Sequence, residues 1–251
     1  MPDDFDYHND KPDCDSLRLE IVTSCVGFDD ILDVALFYNH AHADNYIVVT
    51  SHADRKTQAV CRKHSVRCVV TDLFAKNGRK FNKGAGINAG LNYFQYHGWR
   101  LHLDSDILLP DNFRRVLFNH THLEKSCIYG CDRIDVVGER EVDKVFRRPQ
   151  HAHRCLIDCN HNRPPGARFV SPLHGYLPLG YFQLWHARRH QMYPYSLGSA
   201  AHDDTMFSML WPESCRRLLP NMYVYHLIAD KESNRWGCNW EGRTSNRLGS
   251  K

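Results

Sequence analysis

The chain has 251 residues, room for one to two domains at about 150 residues each. Its 42% hydrophobic and 24% charged content is that of an ordinary globular protein, which excludes whole-chain disorder, collagen and coiled coil. The formal net charge of +3 is unevenly spread: residues 1–15 hold six Asp against one Lys, and residues 144–189 hold eight Lys or Arg against Asp158 alone.

No run of about 18 apolar residues exists, so no transmembrane helix and no stable membrane association are expected. The acidic start, Met1 to Asp6, lacks the apolar stretch of a signal peptide. A cytoplasmic setting follows as an expectation, with most of the ten Cys as thiols. Residues 1–16 read as a disordered acidic tail.

In chain order, Leu17 to Ser24 alternates as a strand. Asp29 to Asn39 spaces Ile31, Leu32, Ala35, Leu36 and Tyr38 as one helix face. Asn45 to Thr50 is a buried strand, Asp54 to His64 a short polar helix and Val66 to Thr71 a third strand. Lys83 to His97 reads as a helix opened by glycines, and Trp99 to Asp104 as a fourth strand. This alternation predicts an α/β fold with a mixed, mostly parallel sheet flanked by helices. Beyond Pro110 come a helix over 111–124, a strand over Ser126–Tyr129, a strand pair within Val170–Gln183, a helix over Asp203–Trp211 and a strand over Tyr223–Leu227. Residues 17–228 form the expected single domain. The Arg/His/Pro-rich segment 144–172 is a basic insert, and 229–251 a polar surface tail.

Ligands of such sheets sit outside the carboxyl ends of the strands. Thr23-Ser24, Thr50-Ser51, Thr71-Asp72 and Asp104-Ser105-Asp106 all fall there. Asp104 and Asp106 offer hard oxygen ligands suited to Mg²⁺ or Mn²⁺, although a solvated turn has the same spacing. Asn82 to Gly90 combines small residues with Lys83 at a helix start. That suits either an approaching phosphate or close helix–sheet packing. Asp203-Asp204 suits a general base, or an N-cap plus a first-turn charge. His226 ends an aromatic strand and suits a core position or a place beside a metal. Cys127, Cys131, His151, His153, Cys155, Cys159 and His161 have permissive zinc spacings but no clean knuckle.

Taken in order, these segments resemble nucleotide-sugar-dependent glycosyltransferases of the GT-A (Rossmann-like) fold, of the family 2 type and its small phage-encoded relatives. The resemblance spans roughly residues 17–228. It implies that Thr23, Ser24, Asp29, Asp72, Lys83, Gly84, Asn88, Asp104 and Ser105 line a UDP- or GDP-sugar donor. It further implies that Asp104, Asp106 and His226 hold Mn²⁺ or Mg²⁺ and that Asp203 or Asp204 is the base of an inverting transfer. Gly175 to Gln183 resembles the acceptor-side stretch, which implicates Tyr176, Gly180, Tyr181 and Gln183. The net +7 of segment 144–189, with Lys144, Arg147, Arg148, Arg154, Arg163, Arg168, Arg188 and Arg189, points to an anionic acceptor. DNA bearing a hydroxymethylated base is the phage-like case, its base stacked on Phe169, Tyr176, Tyr181 or Trp185. A nucleotidyltransferase and a zinc-stabilised nucleic-acid-binding module are the alternatives.

Overall fold

The computed structural model describes residues 18–78, 81–119, 123–137, 170–189, 191–194 and 200–228. The N-terminal tail, residues 144–169 of the basic segment and the C-terminal tail lie outside these. So do Arg147, Arg148, Arg168, Phe169 and the His/Cys group 151–161.

Strands and helices alternate first: β1 (Leu19–Ser24), α1 (Asp29–Asn39), β2 (Asn45–Thr50), α2 (Arg55–Lys63), β3 (Arg67–Val70), α3 (Lys83–Leu91) and β4 (Trp99–Leu103). Then follow β5 (Ile107–Leu108), α4 (Phe113–Asn119), β6 (Ile128–Val137), β7 (Val170–Ser171), β8 (Gly175–Tyr176), β9 (Phe182–His186), α5 (Ala200–Ser208) and β10 (Arg216–Ile228). Eight strands make one sheet in the order β3-β2-β1-β4-β9-β6-β10-β5, and β7 and β8 form a separate hairpin. β3, β2, β1 and β4 run parallel, as do β6 and β10, while β9 lies antiparallel between β4 and β6. The expected mixed α/β sheet is the one observed.

Both faces of the sheet are buried, which is why its strands read as nearly continuous apolar runs. On β1, Ile21 joins a core with Leu36, Val48, Leu101 and Leu184, and the next residue, Val22, joins one with Ile47, Val49, Ile87 and Trp185. The glycines of α3 serve this packing. A Cβ on Gly90 would lie 2.6 Å from Val22 Cγ2 and 2.7 Å from Val49 Cγ2, and one on Gly86 would lie 2.2 Å from the Phe74 ring.

Boundaries depart from periodicity where tertiary contacts intervene. α3 stops at Leu91 rather than His97, because the buried Glu20 carboxylate accepts the N–H groups of Gln95 and Tyr96 at 2.8 and 3.0 Å. β6 and β10 are longer than expected because they pair with each other along most of their length, across an irregularity between Leu218 and Tyr223. α5 begins at Ala200, so Asp203 and Asp204 lie inside the helix and neither is its N-cap.

The sheet order turns around at β1, which pairs with β2 on one side and β4 on the other. A crevice at such a switch point is where ligands bind in open α/β sheets. Asp104 follows β4 immediately at that edge.

Candidate active site

β4 delivers Asp104 and Asp106 to the carboxyl edge, and three other elements bring partners to them. Lys83 opens α3, where the Asn82 side chain caps the helix by accepting from Ala85 N–H at 3.2 Å. Its ammonium lies 2.7 Å from Asp104 Oδ1 and 2.9 Å from Asp204 Oδ2. α5 supplies Asp204, so one buried cation bridges two carboxylates 100 residues apart in sequence. Burial disfavours the charged Lys83, but the two carboxylates outweigh it and hold its pKa above the usual lysine range. Burial also opposes ionisation of Asp104, where Lys83 and His102 win and the pKa is held low. At Asp204 burial wins, reinforced by the Asp104 charge, and the pKa is raised despite Lys83.

Asp203 and Asp204 have different surroundings. Asp203 is fully buried and its Oδ2 accepts the Gly84 N–H at 3.1 Å, which ties α5 to the start of α3. Asp204 Oδ1 has no hydrogen-bond partner among the described residues. Gly180 makes room for that carboxylate: a Cβ there would lie 1.9 Å from Asp204 Cγ. Gly180 thus acts by accommodating Asp204 rather than by touching an acceptor.

On the other side of the D-x-D turn, the Leu227 N–H donates to the Asp106 carbonyl at 2.8 Å. This seats His226, on β10, with Nε2 3.3 Å from Asp106 Oδ2. A carboxylate and an imidazole in such contact would offer two donors to one Mn²⁺ or Mg²⁺. Among the described residues no group of three His, Cys, Asp or Glu side chains gathers to hold a metal. Asp104, counted among the ligands by the resemblance, has its Oδ1 on Lys83.

Other expected donor residues are placed differently. Thr23 is fully buried with its hydroxyl 2.9 Å from that of Tyr46, and Ser24 is buried beside it. Ser105 reaches the Cys25 thiol, whose pKa burial pushes up to about 12. Asn88 spends both amide atoms on the backbone of Tyr193, at 2.9 and 2.8 Å. Gly84 packs against Tyr193 and Asp203, so it frames the cluster rather than a ligand. Asp29 stands half-buried in the first turn of α1. Asp72 remains 83% exposed, 3.8 Å from His52 Nε2 at the ends of β3 and β2.

On the acceptor side three of the expected residues are buried. Trp185 is 0% exposed and packs edge-on against Phe207. The buried Tyr181 donates its hydroxyl to the Cys131 carbonyl, with Arg133 over its ring. Gln183 is fully buried and donates to Pro178 O, Asp204 O and Ser208 Oγ. None presents a face on which a base can stack. Tyr176 is half-buried, its hydroxyl set against Gly130, where a Cβ would lie 2.3 Å away.

Sequence reasoning missed His102 and Tyr193. His102 is fully buried two residues before Asp104, with Nδ1 2.6 Å from the Tyr193 hydroxyl. An imidazole in the apolar strand Trp-Arg-Leu-His-Leu was the available signal, since buried polar groups need partners.

No family model and no curated protein matches the sequence. Solved structures do match the fold. Mannosyl-3-phosphoglycerate synthase from Rubrobacter xylanophilus superposes with a TM-score of 0.52 at 14% identity, over 86% of this chain and 68% of that one. Glucosyl-3-phosphoglycerate synthase from Mycobacterium tuberculosis, solved with Mn²⁺, UDP-glucose and phosphoglyceric acid, gives 0.48 at 13% identity over 84% and 70%. The former likeness identifies the fold as GT-A, a mixed α/β sheet flanked by helices.

Proposed function

We propose that this chain is a metal-dependent, inverting glycosyltransferase that moves a sugar from a nucleotide-sugar donor to an acceptor hydroxyl. One observation carries the reading. At the switch point of a GT-A sheet, the Asp106–His226 pair and the Asp104–Lys83–Asp204 cluster stand on the same D-x-D turn. Asp106 and His226 would hold Mn²⁺ or Mg²⁺, which when bound supplies positive charge to the leaving diphosphate of a UDP- or GDP-sugar.

Asp204 is the base in this reading, and Asp203 is not. Asp204 has an oxygen without a partner among the described residues and a raised pKa, as a group poised to accept a proton needs. Lys83 holds the other oxygen and fixes the direction of the first. Asp203 is committed to the Gly84 N–H. Asp204 takes the acceptor proton as the acceptor oxygen bonds to the anomeric carbon from the face opposite the nucleoside diphosphate, whose bond to that carbon breaks, so the centre is inverted.

The acceptor is anionic in this proposal, because segment 144–189 carries a net +7. Hydroxymethylated DNA is the acceptor proposed, now supported by that charge alone, since Trp185 and Tyr181 are buried. The fold neighbour from Rubrobacter xylanophilus is named for a phosphoglycerate product, so 3-phosphoglycerate joins the acceptors tested.

The test is a panel of sugar nucleotides with Mn²⁺, following nucleoside diphosphate release with and without EDTA. Chelator-sensitive release from one donor, accelerated by one anionic acceptor, is the expected result. Pyrophosphate release instead would make the protein a nucleotidyltransferase. A product of retained configuration would remove the base role of Asp204.

A further inference from the structure

The position of α5 decides where Asp204 stands, and apolar packing alone does not set it. The buried side chains of α5 are Asp203, Asp204, Phe207 and Ser208, three polar groups and one ring. Apolar burial is non-directional. It holds a helix near a surface without fixing its rotation or its height, so hydrogen bonds decide both here. From α3, the Gly84 N–H reaches the Asp203 carboxylate at 3.1 Å and the Lys83 ammonium reaches that of Asp204 at 2.9 Å. Both contacts act on side chains, which can still turn about their own bonds.

The sheet supplies a contact to the main chain of α5. β9 reads Phe-Gln-Leu-Trp-His and is buried throughout. Alternation along the strand puts Gln183 and Trp185 on one face, and Trp185 packs on Phe207 of α5. Gln183 Nε2 lies 2.9 Å from Asp204 O, 2.9 Å from Ser208 Oγ and 3.0 Å from Pro178 O. Carbonyls only accept, so this end of the amide is the NH₂, its two protons shared among three acceptors. Oε1 accepts from the Tyr193 hydroxyl, so the buried amide is satisfied at both ends. Ser208 Oγ in turn donates to Pro178 O. Two residues beyond Pro178 stands Gly180, whose missing side chain leaves the space of the Asp204 carboxylate.

We infer that Gln183 is a positioning residue for Asp204: its amide ties the Asp204 main chain and Ser208 to the Pro178 carbonyl, and so sets the gap between α5 and the Gly180 turn in which the Asp204 carboxylate stands. The functional consequence rests on the proposal that Asp204 is the base. Gln183 acts on the reaction only through that residue. Methionine in its place fills a similar volume and donates nothing, which leaves Ser208 as the direct link between helix and turn. A reacting group misplaced by about 1 Å loses about 10²-fold in rate, so even a partial shift of α5 registers in kcat.

Two measurements on the full chain test it. Hydrogen exchange of the Gln183 side-chain NH₂, followed by NMR of the nitrogen-15-labelled wild-type protein, reads the anchor without any turnover. Strong protection of both protons is expected, and exchange as fast as that of an exposed glutamine overturns the inference. In Gln183→Met a fall in kcat of about tenfold or more is expected, with donor KM within about twofold, because the base and not donor binding is displaced. Combined with Asp204→Asn, it should be no slower than Asp204→Asn alone. An unchanged kcat, or losses that simply add, overturns the positioning role. If Gln183→Met does not fold, Ser208→Ala removes one acceptor of the same amide and is read by the same two criteria. If the wild-type protein turns over no donor, the glycosyltransferase reading fails, and the exchange result still decides whether Gln183 anchors α5.

Discussion

Replacing Gly180 by alanine puts a methyl group into the space that the Asp204 carboxylate occupies. The new Cβ would lie 1.9 Å from Cγ, 2.0 Å from Oδ2 and 2.2 Å from Oδ1. Reaching ordinary contact at 3.4 Å from 1.9 Å requires a shift of about 1.5 Å. Asp204 Oδ2 sits 2.9 Å from Lys83, so it cannot make that shift and keep this contact unless Lys83 moves with it. A reacting group misplaced by about 1 Å costs about 10²-fold in rate, and that loss in kcat is expected for Gly180→Ala. Overpacking costs about 1–3 kcal/mol, a lowering of the melting temperature by about 2–4 °C per kcal/mol for a chain of this size. Stopped assays of nucleoside diphosphate release at saturating donor give kcat, and scanning calorimetry gives the stability. The double variant with Asp204→Asn separates a local effect from a general one. If Gly180→Ala acts through the carboxylate, the double variant is no slower than Asp204→Asn alone. A kcat within twofold of wild type, or fully additive losses, would refute the reasoning.

Asp204→Asn should lower kcat by about 10²–10⁴-fold with the fold intact, whereas Asp203→Ala should cost about 1–3 kcal/mol of stability by orphaning the buried Gly84 N–H; parallel melts and rate assays separate the two. Asp106→Ala should abolish turnover at every Mn²⁺ concentration and remove Mn²⁺ binding followed by electron paramagnetic resonance, while leaving circular dichroism unchanged. Lys83→Met leaves Asp104 and Asp204 without their shared cation and should cost about 3–5 kcal/mol, read from urea midpoints. At Asp33 burial raises the carboxyl pKa, but hydrogen bonds from Lys63 and His64 overcome it and hold the pKa below its usual value. A depressed carboxyl contributes stability that is fully present above the unfolded value, about pH 4, and lost as pH falls through the folded value. Asp33→Asn should therefore narrow the stability gap between pH 5 and pH 2; an unaltered acid profile would remove Asp33 from the account.

Much of the scaffold was readable from periodicity. α1 and β2 begin and end where the apolar spacing put them, at Asp29–Asn39 and Asn45–Thr50. Short-range patterns suffice there because each element buries a face set by its own residues. The reading weakened after Pro110, where β6 and β10 stabilise each other across a long stretch of intervening sequence. Pairing of that kind has no local signature. In the candidate site, the sequence singled out Lys83, Asp104, Asp106, Asp204 and His226 as chemical groups. It could not pair them, because Lys83 lies 121 positions from Asp204 and Asp106 lies 120 from His226.

Residue type and spacing alone determined an α/β chain with polar groups gathered at one sheet edge and a basic stretch after it. Tertiary structure decided what each of those groups does. It buried Trp185, Tyr181 and Gln183, which sequence had turned toward an acceptor. It placed the Asp203 carboxylate on a backbone N–H and left an Asp204 oxygen facing Gly180. It also brought His102 and Tyr193 behind Asp104. The physical reason is that the state of a carboxylate depends on solvation and on charges within a few ångströms. Those neighbours arrive from remote strands and helices only when the sheet has closed over its core.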